Sequence, residues 1–370
     1  MDNMKFTALQ GQFAKSLNSV SRVVGTRTTL PVLGNILLKA EKGKIRLSAT
    51  DLEVAISANA TGKIEEDGEL TVPARLLVDF ITNNRDEAID FTSEKTTLHL
   101  KSEHFEANIN GISAEEFPSI PSLPKELFCD IKREDFVDSI KKVIIAPAND
   151  ETRPVLAGIY FQFSGKILTL AATDSYRLAE KKIELGDSVE EKKFIVPART
   201  MTEVLRLSSG DDSENIAISS TENQISFKVG ETEIVSRLIE GAFPNYAQII
   251  PEKSKIMTTV GREELLSAVK MSLLFAKSSA NNIRFESSEK NLLVKTMASE
   301  AGDSTSKIEA EISGGKYNIA FNAKYILDAL QILSDEKIIL EFNDDASAGV
   351  IRTQKDKDFI YIIMPLKIDA

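Results

Sequence analysis

The feature that most constrains this 370-residue chain is an internal repeat with a step of about 124 residues. Val72-Pro73-Ala74-Arg75-Leu76-Leu77-Val78-Asp79 returns as Val196-Pro197-Ala198-Arg199-Thr200-Met201-Thr202-Glu203. A more diverged version reads Phe321-Asn322-Ala323-Lys324-Tyr325-Ile326-Leu327-Asp328. Each version sets a basic residue four positions ahead of an acid. Ala49-Thr50-Asp51 recurs as Ala172-Thr173-Asp174, Phe117-Pro118 recurs as Phe243-Pro244, and Met364-Pro365 closes the third copy. Solenoid units run to roughly 20–45 residues. A step this long therefore means three domains, each with its own core. Boundaries are expected near the linkers Leu123-Pro124 and Pro251-Glu252-Lys253-Ser254, giving domains 1–126, 127–252 and 253–370.

Each copy carries two helical patterns. Leu9, Phe13, Leu17, Val20 and Val24 form one apolar stripe, preceded by Thr7 and Gln10 at capping-box spacing. Phe136, Ile140 and Val143 start the second copy, and Leu265, Val269 and Leu273 the third. The motifs at Pro73, Pro197 and Asn322 open the second helix of each copy. Proline is tolerated there because the first N–H of a helix is unpaired anyway. Between the helices lie short alternating runs, such as Leu98, Leu100, Phe105, Ala107 and Ile109. Gly43-Lys44 and Ser164-Gly165-Lys166 read as hairpin turns. The expected class is α+β, with two helices packed on antiparallel sheet in every copy.

No constellation for catalysis emerges. The two histidines, His99 and His104, fall in one predicted hairpin, and the single cysteine, Cys129, stands apart, so no metal-ligand spacing forms. Gly43-Lys44 and Gly165-Lys166 lack the glycine and Ser/Thr of a phosphate loop. Asp344-Asp345 reads as a solvated turn. Asp51 and Asp174, repeated at strand ends, read as turn residues rather than paired catalytic acids. One cysteine makes no internal disulfide and fits a reducing cytoplasm. No cofactor and no metal are expected.

The formal net charge of −11 argues, as a total, against a nucleic-acid binder. Its distribution argues otherwise. The predicted helices hold a small excess of Lys and Arg over Asp and Glu, so the remainder is more acidic than the total. Three readings stay open at this point: a DNA-encircling ring, a protein-binding scaffold, and an enzyme with an unrecognised site.

Several segments match one family. Met4-Lys5-Phe6-Thr7, Thr29-Leu30-Pro31-Val32-Leu33-Gly34-Asn35, Ala49-Thr50-Asp51-Leu52-Glu53 and Thr71-Val72-Pro73-Ala74-Arg75 are joined by Ala172-Thr173-Asp174 with Arg177-Leu178, Phe243-Pro244-Asn245-Tyr246 and Tyr361-Ile362-Ile363-Met364-Pro365-Leu366. In order and spacing the chain resembles the bacterial DNA polymerase III beta subunit, the sliding clamp, over its whole length. The resemblance implies a head-to-tail homodimer that closes six domains into a ring around double-stranded DNA. It implies a processivity function without catalysis, helices lining the hole, and phosphate contacts without base readout.

The resemblance also implies three sets of residues. DNA contacts fall to Lys15, Arg27, Arg75, Lys141, Lys142 and Arg199. The dimer interface falls to Ile109 of one chain against Leu274 and Phe275 of the other. A groove for short peptides of polymerase subunits, the clamp loader and repair proteins falls to Leu156, Thr173, Ser175, Arg177, Leu178, Pro244, Ile249, Tyr325, Ile362, Met364, Pro365 and Leu366. From the residues alone, Ile362, Met364 and Leu366 read equally as core. Ser175-Tyr176 stands where the family commonly has Gly-His, and Gln248 where arginine is frequent, so the rim departs from the family's pattern.

Overall fold

The computed structural model describes residues 3–25, 30–120, 128–150, 152–296 and 302–367. Among them are six α-helices: α1 (Gln10–Ser21), α2 (Ala74–Asn83), α3 (Arg133–Val143), α4 (Ala198–Ser208), α5 (Arg262–Ala276) and α6 (Ala323–Ile332). They fall two to a copy, as the periodicity predicts. In α1 the buried residues are Phe13, Leu17 and Val20, three members of the expected stripe. Leu9 is exposed and precedes the helix.

The capping box is not formed. The strand Lys5–Leu9 runs directly into α1, and no side chain caps it. Thr7 instead donates its hydroxyl to Asp90 (2.6 Å), while the Gln10 N–H and side-chain amide donate to the carbonyls of Glu87 and Ile81. The end of α2 and the loop that follows it thus hold the helix start that the Thr7 side chain was expected to cap.

The chain packs as two compact units that do not coincide with the three copies. One comprises residues 1–133 and 202–238, the other 134–201 and 239–370. In the first, an eight-stranded sheet runs through Cys129–Lys132, Asn215–Ser220, Gln224–Val229, Thr232–Arg237, Val54–Ala60, Lys44–Thr50, Asn35–Glu41 and Gly68–Pro73. The central copy thereby lends four strands to the first copy's sheet. A separate five-stranded sheet holds Lys5–Leu9 and ends at the edge strand Glu106–Asn110. Phe6, Phe13 and Phe91 meet between α1 and this sheet, with Phe6 and Phe91 stacked 4.4 Å apart.

The second unit is built on a ten-stranded sheet that starts with the paired strands Gly158–Thr173 and Arg177–Pro197 and passes through Phe359–Ile363 into the third copy. Its third-copy core gathers Phe285, Phe321, Phe342 and Tyr317. Ser164-Gly165 is not a hairpin turn here. Gly158–Thr173 is continuous over 16 residues, and its register slips around Gly165, whose φ of 59° marks a bulge. The hairpin reading failed because a bulge and a turn share glycine; the partner strand decides between them. The other predicted turn forms: Lys42 and Gly43, both at positive φ, join Asn35–Glu41 to Lys44–Thr50.

Candidate partner groove, chain edges and cationic helices

Part of the expected groove set, Thr173, Ser175, Arg177, Leu178, Tyr325, Ile362 and Met364, comes together around one loop of the second unit. Asp174 accepts N–H bonds from Tyr176 (2.9 Å) and Arg177 (3.0 Å) on Oδ1, and Arg177 Nε (3.0 Å) on Oδ2. Thr173 donates its hydroxyl to the Arg177 carbonyl (2.6 Å) and accepts from the Ser175 N–H (3.1 Å). These bonds hold Ser175 at a φ of 79°. The repeated aspartates are therefore loop-fixing groups rather than catalytic acids. Arg177 also donates to Asp328 (2.6 Å) and lies 4.4 Å from the centre of the Tyr325 ring. Burial works against the charged guanidinium, but Tyr361, Asp328 and Asp174 outweigh it and hold Arg177 more firmly protonated than usual.

Beside this loop lies an apolar floor. Leu178 packs with Val350, Ile360 and Ile362, all buried, and the half-buried Tyr246, Ile250 and Ala348 lie against them. Leu156 and Thr173 are also buried. Ser175, Pro244, Ile249 and Met364 are exposed, whereas Tyr325, Pro365 and Leu366 are half-buried. The expected set thus divides into floor, loop-fixing groups and rim. Tyr246, Ile250 and Ala348 were missed, although Tyr246 lies in the recognised Phe243-Pro244-Asn245-Tyr246 segment. Arg153 was also missed: its Nη1 donates to the Ser175 hydroxyl (3.0 Å). Burial beside Glu180 pushes the Tyr246 phenol well above its usual range, keeping it neutral.

The first unit presents an open sheet edge and the second an open cleft. In the first, Glu106–Asn110 pairs on one side only, and Phe105 beside it is exposed. Ile109 differs from its expected role. It is 6% exposed because strand alternation turns it into its own core. In the second, an open cleft of about 1390 Å³ lies between α5 and the strand Thr305–Ser313, with Met271, Ile308 and Ala310 in its wall. On the same helix Leu274 is 61% exposed and Phe275 half-buried.

The expected cations do not behave alike. Lys15, Arg75, Lys141 and Arg199 are exposed on their helices. Arg75 is 95% exposed, with Asp79 at 3.9 Å. Lys142 departs from the expectation. Its side chain is 13% exposed and donates to Asp138 (2.6 Å) and Asp356 (2.7 Å), which already consume its charge. Arg27 lies outside the described residues.

Among the described residues, one group brings possible metal-ligand atoms within 4.8 Å of one another: Asp86, Glu103 and His104. Spacing could not reveal it because Asp86 is distant in sequence. Its hydrogen bonds give it an internal use, since Asp86 accepts from the Ser102 hydroxyl (2.7 Å) and the His104 N–H (2.9 Å) and pairs with His104 Nδ1 (2.8 Å).

Known proteins match this chain throughout. Family models for the N-terminal, central and C-terminal domains of the DNA polymerase III beta subunit match residues 4–121, 130–245 and 247–367. The beta sliding clamp of Staphylococcus aureus is 28% identical over 375 residues, covering 98% of this chain and 99% of the relative. The crystal structure of the DNA polymerase sliding clamp from Bacillus subtilis superposes with a TM-score of 0.95 at 26% identity, covering 99% of this chain and all of that one. A Pseudomonas aeruginosa sliding clamp bound to griselimycin gives 0.94 at 27% identity, with the same coverage. Three consecutive domain matches, full-length relatives and one shared architecture together establish that the chain belongs to the family of the DNA polymerase III beta subunit, the beta sliding clamps.

Proposed function

We propose that two copies of this chain close head to tail into a ring around duplex DNA and carry partner proteins through the groove beside Leu178 and Ile362. Family membership makes the chain a sliding clamp of DNA replication, an accessory subunit without catalysis of its own. The carrying observation is a one-sided strand, Glu106–Asn110, in one unit and an open cleft beside α5 in the other, which we read as the two halves of a joint. A strand edge with free N–H and C=O groups invites another strand. A heterologous joint with suitable rotation closes into a ring. Phe105, Met271, Leu274 and Phe275 supply the apolar surface, and Ile109 supports the strand from within.

On this reading the three domains divide near residues 127 and 253. Lys15, Arg75, Lys141 and Arg199 make non-specific phosphate contacts, leaving the ring free to move because no base edge is held. Retention comes from topology. A polymerase bound through a short peptide stays at high effective concentration near its template. The groove's buried floor with a few fixed polar groups suits such peptides, from polymerase subunits, the clamp loader and repair proteins. Among the described residues no helix is long and apolar enough to cross a membrane. The work of a replication clamp on DNA places the ring, on this reading, in the cytoplasm. The test is retention on DNA after loading. The protein should stay on a closed circle and be lost within minutes when the circle is cut. Equal retention on both forms refutes the ring.

A further inference from the structure

We infer that the junction within the first unit carries a second peptide-docking recess, built like the groove beside Leu178 but selective for a bulky apolar side chain next to an acidic one. The bonds from the loop's Thr and Asp side chains to the backbone are duplicated. Asp51 Oδ1 accepts from the N–H groups of Glu53 (3.0 Å) and Val54 (2.8 Å), as Asp174 does from Tyr176 and Arg177. Thr50 donates to the Val54 carbonyl (2.9 Å) and accepts from the Leu52 N–H (3.0 Å), as Thr173 does with Arg177 and Ser175. Leu52 has a φ of 76° where Ser175 has 79°.

The following strands pair alike. Ala55 sits opposite Val235 as Leu178 sits opposite Ile362. The Arg237 N–H donates to Glu53 (3.0 Å) as the Met364 N–H donates to Tyr176 (2.8 Å). Pro118 and Ile120 line the recess, and Pro244 and Tyr246 hold the corresponding sequence positions.

The differences define the occupant. Leu178 and Ile362 become the smaller Ala55 and Val235, and a recess of about 100 Å³ opens above them. Small-molecule sites run to roughly 300–1,000 Å³, so this one suits a single large side chain. Leu52 is 46% exposed on its edge, an apolar side chain in a backbone region that L residues rarely adopt. The buried cation of the first groove is gone, since Val54 replaces Arg177. In its place Arg237 lines the rim, exposed and without an ion pair among the described residues. Glu53 also lies on the rim, directly across from Arg237 and joined to it by backbone only, so the guanidinium is the rim cation left to meet the occupant's carboxylate. The partner is thus an extended, acidic and apolar peptide segment of another protein.

The inference extends the first groove's peptide reading to a second place, and separate methyl groups report on the two. Full-length chain with labelled Ala, Ile, Leu and Val methyls is titrated with the acetylated, amidated pentapeptide Asp-Leu-Asp-Leu-Phe. Saturable shifts are expected at Ala55 and Val235, surviving Ile249→Glu in the first groove. Arg237→Glu should weaken them about fivefold, the scale of one exposed charge pair, and Ala55→Leu should abolish them by filling the recess. Shifts at Ala55 and Val235 without any at Ile362 support this recess and refute the first groove. Shifts at Ile362 alone, no shifts at all, or equal affinity for a peptide with both Asp replaced by Lys overturn the inference.

Discussion

Leu274→Glu separates a closed ring from any other use of the α5 surface. Leu274 is 61% exposed in the single chain, so the substitution removes little packing and should leave the unfolding midpoint of the monomer within about 0.5 kcal/mol of the parent. In the proposed ring the same position is covered by the partner. A carboxyl with an ordinary value near 4.3 enters an apolar joint most cheaply as the neutral acid. Neutralising it at pH 7 costs about 3.7 kcal/mol. The ring has two identical joints, so opening it into monomers gains about twice that, or roughly a 10⁵-fold weaker dimer. The sign also fixes a pH dependence. Burial raises the introduced carboxyl's pKa, so the penalty grows above pH 4.3 and shrinks as the solution is acidified. At pH 5 about 1 kcal/mol per joint remains, and much of the dimer should return. Sedimentation at nanomolar to micromolar concentration, at both pH values, measures this. A variant as dimeric as the parent at pH 7, or one whose dimer is insensitive to acid, refutes the joint at α5.

Arg177→Met should destabilise the second unit by about 3–5 kcal/mol in urea unfolding, because it leaves Asp174 and Asp328 without their shared cation. Asp328→Asn, which keeps the Asp174 pair, should cost clearly less. Lys141→Gln should lower the salt dependence of affinity for linear DNA fragments, whereas Lys142→Gln should not, since Asp138 and Asp356 already hold that ammonium. A titration of the His104 ring by NMR should give a pKa above 6.5, raised by the hydrogen bond and charge of Asp86, whose own carboxyl is held down to about 2. The His104 share of the pair's stabilisation is therefore complete below pH 6.5 while Asp86 is ionised, and it fades as pH rises through the raised value. The Asp86 share fades only on acidification from about 3.8 towards 2. Asp86→Asn should return His104 towards 6.5; an unchanged titration would discard the pair.

What the sequence revealed and what it hid follow from interaction range. The helix stripe Phe13, Leu17 and Val20 was visible because its period is local. The Thr-Asp pairs at 50–51 and 173–174 were visible because both side chains bond their own loop within four residues, so few substitutions keep the geometry. The ion pairing of Lys142 was hidden because its partner Asp356 lies 214 residues away. The turn at Gly165 was misread because only the opposite strand shows that the chain continues. Ile109 was placed in the joint by resemblance, while alternation alone put it in the core.

The same reasoning accounts for a chain of net charge −11 that serves DNA. Many of its cations are consumed internally: Lys142 and Lys181 by Asp356, and Arg177 by Asp174 and Asp328. A count of charges therefore says little about the surface a phosphate meets. What matters is that exposed cations such as Lys15 and Lys141 stand on helices, and although Glu134 and Glu263 stand there too, the acidic excess of the chain lies outside the helices. A clamp benefits from this division. Its binding to DNA must be weak enough to slide, and its acidic remainder repels DNA that has not passed through the ring. If that is the selected property, replacing exposed acids away from the helices with glutamine should raise affinity for DNA ends and linear fragments while leaving retention on loaded circles unchanged. Parallel filter-binding and circle-retention assays would read the two effects separately. A rise in both, or in neither, would show that the acidic surface plays no part in excluding DNA.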